Sequence, residues 1–240
     1  MTPPLFLVDS LPDTGTFLLG GDEGRHAARV RRLTVGESVL VSDGLGGLLE
    51  CVVAAVVPDG LQLTVRSVST VPVPRPRLVV VQALPKGDRA ELAVEVLTEL
   101  GVDEIVPWSA SRSITRWDGP RGAKAIEKWR RTAREAAKQS RRPRLPIVHD
   151  LASTTQVASR LASGFVLHED ATVGLSAVPL PDADEIVLVV GPEGGVSPEE
   201  LDAFVAAGAV PVRLGVEVMR TSTAGAAALA VVSVRVGRWG

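Results

Sequence analysis

Two short apolar, β-rich runs, residues 186–190 (IVLVV) and 210–214 (VPVRL), each end in a glycine loop: Gly191-Pro192-Glu193-Gly194-Gly195 after the first, Gly215 after the second. Unbroken apolar runs of this length suit strands of a parallel sheet buried on both faces. Open α/β sheets bind ligands at the carboxyl ends of such strands. The helix between the runs has its limits written out, with Ser197 as N-cap, Pro198 in the first helical position, Glu200 completing a capping box and Gly208 as the stop. The spacing therefore predicts strand, glycine loop, helix, strand, loop and helix over residues 186–229.

A βαβ unit precedes this core. Its strand is 78–82, its helix is capped by Asp88 with Glu91 at the third position and stopped by Gly101, and a strand at 104–107 follows. The loop at 83–88 joins strand to helix and contains Lys86 and Gly87, but it lacks the glycine spacing of a P-loop or a dinucleotide fingerprint. ATP and NAD are thereby set aside, and Lys86 is left with a connecting or RNA-facing role. Residues 71–76 (VPVPRP) carry prolines at alternate positions, which makes them extended and stiff, and they mark a boundary between domains at 1–71 and 77–240. Before it, strands at 38–43, 48–57 and 61–68 with turns at 44–47 and 58–60 read as a meander or small barrel. After it come a strand at 146–148, a helix at 155–163 ended by Gly164, a strand at 165–168, a loop at 171–184 and a final helix at 223–236 rich in small residues.

Charge is unevenly spread. The chain has a net charge of −2, yet residues 112–144 hold twelve Arg and Lys against three acidic residues. Within them, 124–139 is helical in pattern: Ile126, Trp129, Ala133, Ala136 and Ala137 form one face, and Lys124, Lys128, Arg131 and Lys138 recur on another. A merely solvated face would mix its signs. Phosphates are the partner that best fits Arg112, Lys124, Lys128, Arg131, Arg134, Lys138, Arg141 and Arg142. A second basic cluster, Arg25, His26, Arg29, Arg31 and Arg32, reads equally as a solvated helix or as an RNA contact. With no Tyr, four Phe and four Trp, base stacking on an aromatic platform is not the mode of binding. No apolar run approaches a membrane span and the amino terminus lacks the features of a signal peptide, so the expected location is cytoplasmic. One cysteine and three histidines leave no metal-ligand cluster of familiar spacing.

GPEGG after one strand and LGxxxxRTxTA after the next, at 191–195 and 214–224, resemble the knotted SPOUT-class methyltransferases. Within that class the chain is most similar to the family that methylates N3 of one uridine in small-subunit (16S) ribosomal RNA, with supporting matches at 87–89 and 99–102. The resemblance implies an α/β fold with a carboxyl-terminal trefoil knot built on a parallel sheet, a PUA-like β-barrel before it, a homodimer, and an S-adenosylmethionine pocket made of the knot loops. The pocket residues it implies are Leu167, His168 and Glu169, then Gly191, Pro192, Glu193, Gly194 and Gly195. The second loop adds Leu214, Gly215, Val218, Met219, Arg220, Thr221, Ser222, Thr223 and Ala224. It also tips the 25–32 cluster toward RNA. Three positions depart from the family pattern: Val216 where proline is common, Glu217 where the residue is often basic or small, and Ser222 where many members carry Glu.

Uracil N3 is a poor nucleophile until its proton leaves, so such a site must stabilise negative charge on the ring. Arg220 is expected to do so, because its charge is fixed and its guanidinium is a planar fork. It cannot itself be the base. Arg220 and Glu193 are the expected catalytic residues, while the base stays open among Glu193, Glu217, Glu169 and His168. The alternatives are methylation of another RNA, on a transfer RNA or a ribose hydroxyl, and a ribosome-assembly factor that binds RNA without catalysis.

Overall fold

A computed structural model describes residues 2–12, 15–87 and 89–239. The chain forms two compact units, one of Met1–Val73 with Ala137–Leu145, the other of Pro74–Ala136 with Pro146–Gly240. The sequence placed a single cut in the proline segment; residues 137–145 pack with the first unit through contacts that no local pattern announces.

The first unit is a five-stranded sheet of β1 (Leu5–Leu7), β2 (Thr16–Leu19), β3 (Ser38–Ser42), β4 (Gly47–Val57) and β5 (Gly60–Thr70), in the order β1-β3-β4-β5-β2. β1 runs parallel to β3 and the other pairs are antiparallel. Register shifts at Glu50/Cys51 and Val53/Ala55 let the long β4–β5 ribbon curl around Phe6, Leu19, Val41, Leu49, Leu61 and Leu63. β1 and β2 escaped the sequence reading because they are three and four residues long. The basic cluster is not one helix. It is a short α1 (Gly21–Arg25) running into a wider π-type turn at His26–Val30. Residues 137–145 are tied in by Ser42 Oγ donating to Pro143 O at 2.8 Å, by Leu145 N donating to Gly44 O at 2.9 Å and by a Lys138–Glu23 ion pair at 2.7 Å.

The second unit is a six-stranded parallel sheet. Its elements are β6 (Arg77–Ala83), α2 (Arg89–Glu99), β7 (Glu104–Trp108), α3 (Gly119–Gln139), β8 (Ile147–Val148), α4 (Thr154–Ala158), β9 (Gly164–Leu167), β10 (Glu185–Val190), α5 (Pro198–Ala206), β11 (Val210–Val212) and α6 (Thr221–Arg235). The order is β11-β9-β10-β6-β7-β8. One face packs Leu78, Val80, Leu97, Trp129, Leu188 and Leu229, and the other packs Val79, Val81, Trp108, Val187 and Phe204. Burial on both faces is why these strands read as continuous apolar runs. The capping box on α5 is present in full, Ser197 Oγ accepting from Glu200 N and Glu200 Oε2 accepting from Ser197 N.

The differences from the sequence reading are local. The expected cap Asp88 lies outside the described residues. α3 starts five residues before 124. The helix expected at 155–163 is α4 followed by a separate turn at Leu161–Ser163, because Ser153 with Gln156 forms the capping box one residue earlier and Gly164 opens β9. β11 stops at Val212, since Arg213 is claimed by the 171–184 segment: its N–H donates to Val173 O at 2.9 Å and its carbonyl accepts from Leu175 N at 2.8 Å.

An ion network closes the amino ends of β6, β7 and β10. Arg77 bonds Glu104 at 2.6 Å and Glu185 at 2.7 Å, Arg160 bonds Glu104 at 2.9 Å and Glu185 at 3.0 Å, and His149 Nε2 lies 2.7 Å from Glu104 Oε2. The Glu104 side chain is only 4% exposed. Its hydrogen bond to His149, with the hydrogen bond to Arg160 and the charges of Arg160 and Arg77, outweighs desolvation and lowers its pKa to about 2.

Candidate active site

At the opposite end of the sheet, the carboxyl ends of β9, β10 and β11 open into a cavity of about 330 Å³. Leu167, His168 and Glu169 reach it from β9, and Val190, Gly191, Pro192, Glu193, Gly195 and Val196 from β10 and its loop. Arg213 through Arg220 form the far wall, and Thr221 and Ala224 on the first turn of α6 form the floor. Gly195 sits at φ +74°, a left-handed conformation that turns the loop back so that its N–H donates to Pro192 O at 2.9 Å. That turn delivers the chain to Ser197 and the start of α5.

Two polar side chains at the cavity, Glu193 and His168, are held by backbone donors. Glu193 Oε1 accepts from Lys86 N at 3.1 Å. His168 Nδ1 accepts from Asp170 N at 3.2 Å, which places the proton of the neutral ring on Nε2. Arg220 is the N-cap of α6, with extended backbone (φ −69°, ψ 147°), and its carbonyl accepts from Thr223 N and Ala224 N, both at 2.9 Å. Beneath it, Gln82 on β6 is fully buried; its Nε2 donates to Thr221 O at 3.2 Å and to Ala83 O at 3.0 Å. Gln82 Oε1 has no partner among the described residues, a situation that costs about 1–3 kcal/mol for a buried acceptor.

Three residues expected in the pocket lie off it. Gly194 turns toward the neighbouring loop, where a Cβ would stand 3.1 Å from Arg112 Cβ and 3.2 Å from Arg112 O, so its missing side chain serves loop packing. Ser222 is buried on the inner side of α6, without a partner for its hydroxyl among the described residues, and Thr223 turns its hydroxyl back to Arg220 O. Helical geometry explains both, since consecutive residues point about 100° apart and the cavity takes only Thr221 and Ala224. Lining residues not expected were Val190, Val196 and Arg213. Reading the strand through to 214 had hidden Arg213.

The cations fall into three groups. His26, Arg29, Arg31, Arg32, Lys86, Lys124, Arg131 and Arg141 are exposed. Others are engaged: Lys128 with Glu91 at 2.8 Å, Arg25 with Asp22, and Arg112 with Gly194 O at 3.3 Å. Arg134 and Arg142 are half-buried, and Lys138, with a side chain 14% exposed, points at Glu23 rather than at an outside ligand. Among the described residues no helix is long and apolar enough to cross a membrane, and no group of three acidic, His or Cys residues could hold a metal ion.

Comparison with known proteins bears on this arrangement. Residues 72–233 match the RNA methyltransferase domain family and residues 19–66 match the RNA methyltransferase PUA domain. The first match covers more than half of the chain, and the chain belongs to the RNA methyltransferase family, with a parallel-sheet domain of the knotted SPOUT fold preceded by a PUA domain. Relatives that match along its whole length include ribosomal RNA small subunit methyltransferases E. That of Mycobacterium tuberculosis is 47% identical over 247 residues, covering 100% of this chain and 94% of the relative. That of Bacillus subtilis is 29% identical, covering 93% and 91%. The crystal structure of the Neisseria gonorrhoeae protein of that name, bound to S-adenosylmethionine, superimposes with a TM-score of 0.86 at 25% identity, covering 98% of each chain.

Proposed function

We propose that this chain transfers a methyl group from S-adenosylmethionine to N3 of one uridine in small-subunit ribosomal RNA. The observation that carries the reading is the cavity at the carboxyl ends of β9, β10 and β11, walled by two glycine-bearing loops, with the Arg220 guanidinium-bearing residue at its edge.

The residues present fit the cofactor. A cavity of about 330 Å³ lies in the range of small-molecule sites. Leu167, Val190, Val196, Leu214, Met219 and Ala224 supply apolar wall for a purine, and backbone groups of 191–195 and 214–219 supply its polar edge. Glu169, Glu193 and Glu217 offer negative charge to a cationic ligand. Bound there, S-adenosylmethionine supplies an electrophilic methyl group.

The protein has to make the ring nitrogen nucleophilic. Arg220 offers fixed positive charge and planar donors to the ring oxygens onto which negative charge spreads as the N3 proton leaves. Glu193, oriented by the Lys86 N–H at Oε1, keeps Oε2 to accept that proton. Glu169 and Glu217 are the other carboxylates in reach of the cavity. His168 fits the role poorly, because its Nδ1 lone pair is already engaged by Asp170 N–H. The exposed cations Lys124, Arg131, Arg29, Arg31 and Arg32 would meet RNA phosphates. Val216 and Val218, 91% and 82% exposed beside the cavity, suit coverage by a second copy in a homodimer.

The test is nucleoside mass spectrometry of small-subunit RNA from a strain lacking the protein, after incubation with purified protein and labelled S-adenosylmethionine. Labelled N3-methyluridine at one position is the expected result. Label in another nucleoside keeps methyl transfer and replaces the target; no label together with tight RNA binding favours the assembly-factor reading.

A further inference from the structure

Gln82 is an anomaly in its strand. β6 reads RLVVVQA, Leu78 and Val80 share its face, and both are fully buried in the apolar core between sheet and helices. An apolar residue at 82 would need no partner there, whereas an amide must find them. The two atoms facing its amide end, Ala83 O and Thr221 O, are both carbonyl acceptors. Only an NH2 group can face them, so Oε1 is forced to the other side, where it has no donor among the described residues. The chain thus leaves an acceptor unsatisfied in order to donate twice, once to its own strand and once to the first residue of α6.

The helix is fitted to that bond. Gly225 lies where a Cβ would be 3.1 Å from Val190 Cγ2 and 3.3 Å from Gln82 Oε1, so the absence of a side chain lets α6 come close enough for Gln82 to reach Thr221 O. Thr221 directly follows Arg220, and the Arg220 carbonyl is closed into the same turn by Thr223 N and Ala224 N. In the sheet Gln82 pairs with Val190, itself part of the cavity wall. One buried amide therefore joins the central strand to the turn that carries the proposed catalytic arginine.

We infer that Gln82 is a positioning residue, clamping the first turn of α6 to β6 and so fixing where the Arg220 guanidinium stands at the cavity. It touches neither cofactor nor RNA and acts through Arg220, and to that extent it rests on the reading given under Proposed function. A clamp of this kind governs the chemical step more than binding, because a donor misplaced at developing charge is lost in the transition state and not in the ground state.

The experiment is a double-mutant cycle with full-length protein, measuring kcat and KM for cofactor and RNA in wild type, Gln82→Met, Arg220→Ala and the double variant, with thermal unfolding of each. Met has nearly the length of Gln without its donors. The expected result is that Gln82→Met loses about tenfold or more in kcat with both KM values within about threefold, and that the same change in the Arg220→Ala background costs nothing further. Wild-type kcat in Gln82→Met, or full additivity with Arg220→Ala, overturns the inference, since a purely structural defect would add. Gln82→Glu gives a second readout and carries the test if the Met variant folds poorly: a protonated acid keeps one donor and a carboxylate none, so the ratio of variant to wild-type kcat should rise as pH is lowered. A ratio flat with pH counts against the clamp. A wild-type protein that methylates no RNA at all would instead remove the functional reading and leave Gln82 as a packing element.

Discussion

The two ends of the parallel sheet use the same residue types to opposite purposes. At the amino ends, Arg77, Arg160, His149, Glu104 and Glu185 satisfy one another at 2.6–3.0 Å, and Glu104 is sealed from solvent. At the carboxyl ends, Glu169, Glu193, Glu217, Arg213 and Arg220 line a cavity with no ion pair among them in the described residues. Charges that neutralise each other hold a fold together, and they have nothing left to offer a ligand. A charge held by a backbone bond, as Glu193 is by Lys86 N, retains that capacity. The distinction is geometric: parallel strands all start at one end and all run into loops at the other, and only loops can space charges freely.

The strongest way to break the comparison is Arg220→Ala, which should lower kcat by about a thousandfold while leaving the unfolding midpoint nearly unchanged; steady-state kinetics and calorimetry check both halves. The reverse pattern is expected at the other end. Glu104→Gln should cost about 3 kcal/mol of stability in urea unfolding, yet folded protein should keep its kcat.

The pH dependence sharpens the same contrast. Glu104 has its folded pKa depressed from 4.5 to about 2, so its stabilising contribution is fully present above 4.5 and is lost as pH falls through about 2. That contribution is about 3 kcal/mol. The stability gap between wild type and Glu104→Gln should therefore close over this acid range, as read by urea midpoints at a series of pH values. A gap that persists unchanged at the acid end would mean that the network stabilises by packing and not by charge.

Smaller effects are expected at the surface and at the caps. Lys124→Ala with Arg131→Ala should reduce the slope of log affinity against log salt by about 1.4 if each meets one single-strand phosphate, whereas the same change at Lys138, paired with Glu23, should leave the slope alone. Filter binding across a salt series distinguishes them. Ser197→Ala should cost about 1 kcal/mol, seen in thermal unfolding, because it removes half of the capping box below the cavity loop.

The sequence by itself determined the two apolar strands and their glycine loops, the α5 capping box and the concentration of positive charge between 112 and 144, because each depends on periodicity and local backbone chemistry that neighbouring residues fully express. The motif pair at 191–195 and 214–224 singled out the loops that line the cavity for the same reason. Only the tertiary structure decided which residues in those loops face the cavity: Gly194 turns to Arg112, Ser222 is buried behind α6, and Arg213 leaves its strand because a segment some forty residues upstream takes its backbone bonds. It also decided that 137–145 packs with the first unit, that Lys138 is held by Glu23, and that Gln82 reaches across to Thr221. These are contacts between residues far apart in the chain, and no local pattern records a partner that only folding brings near.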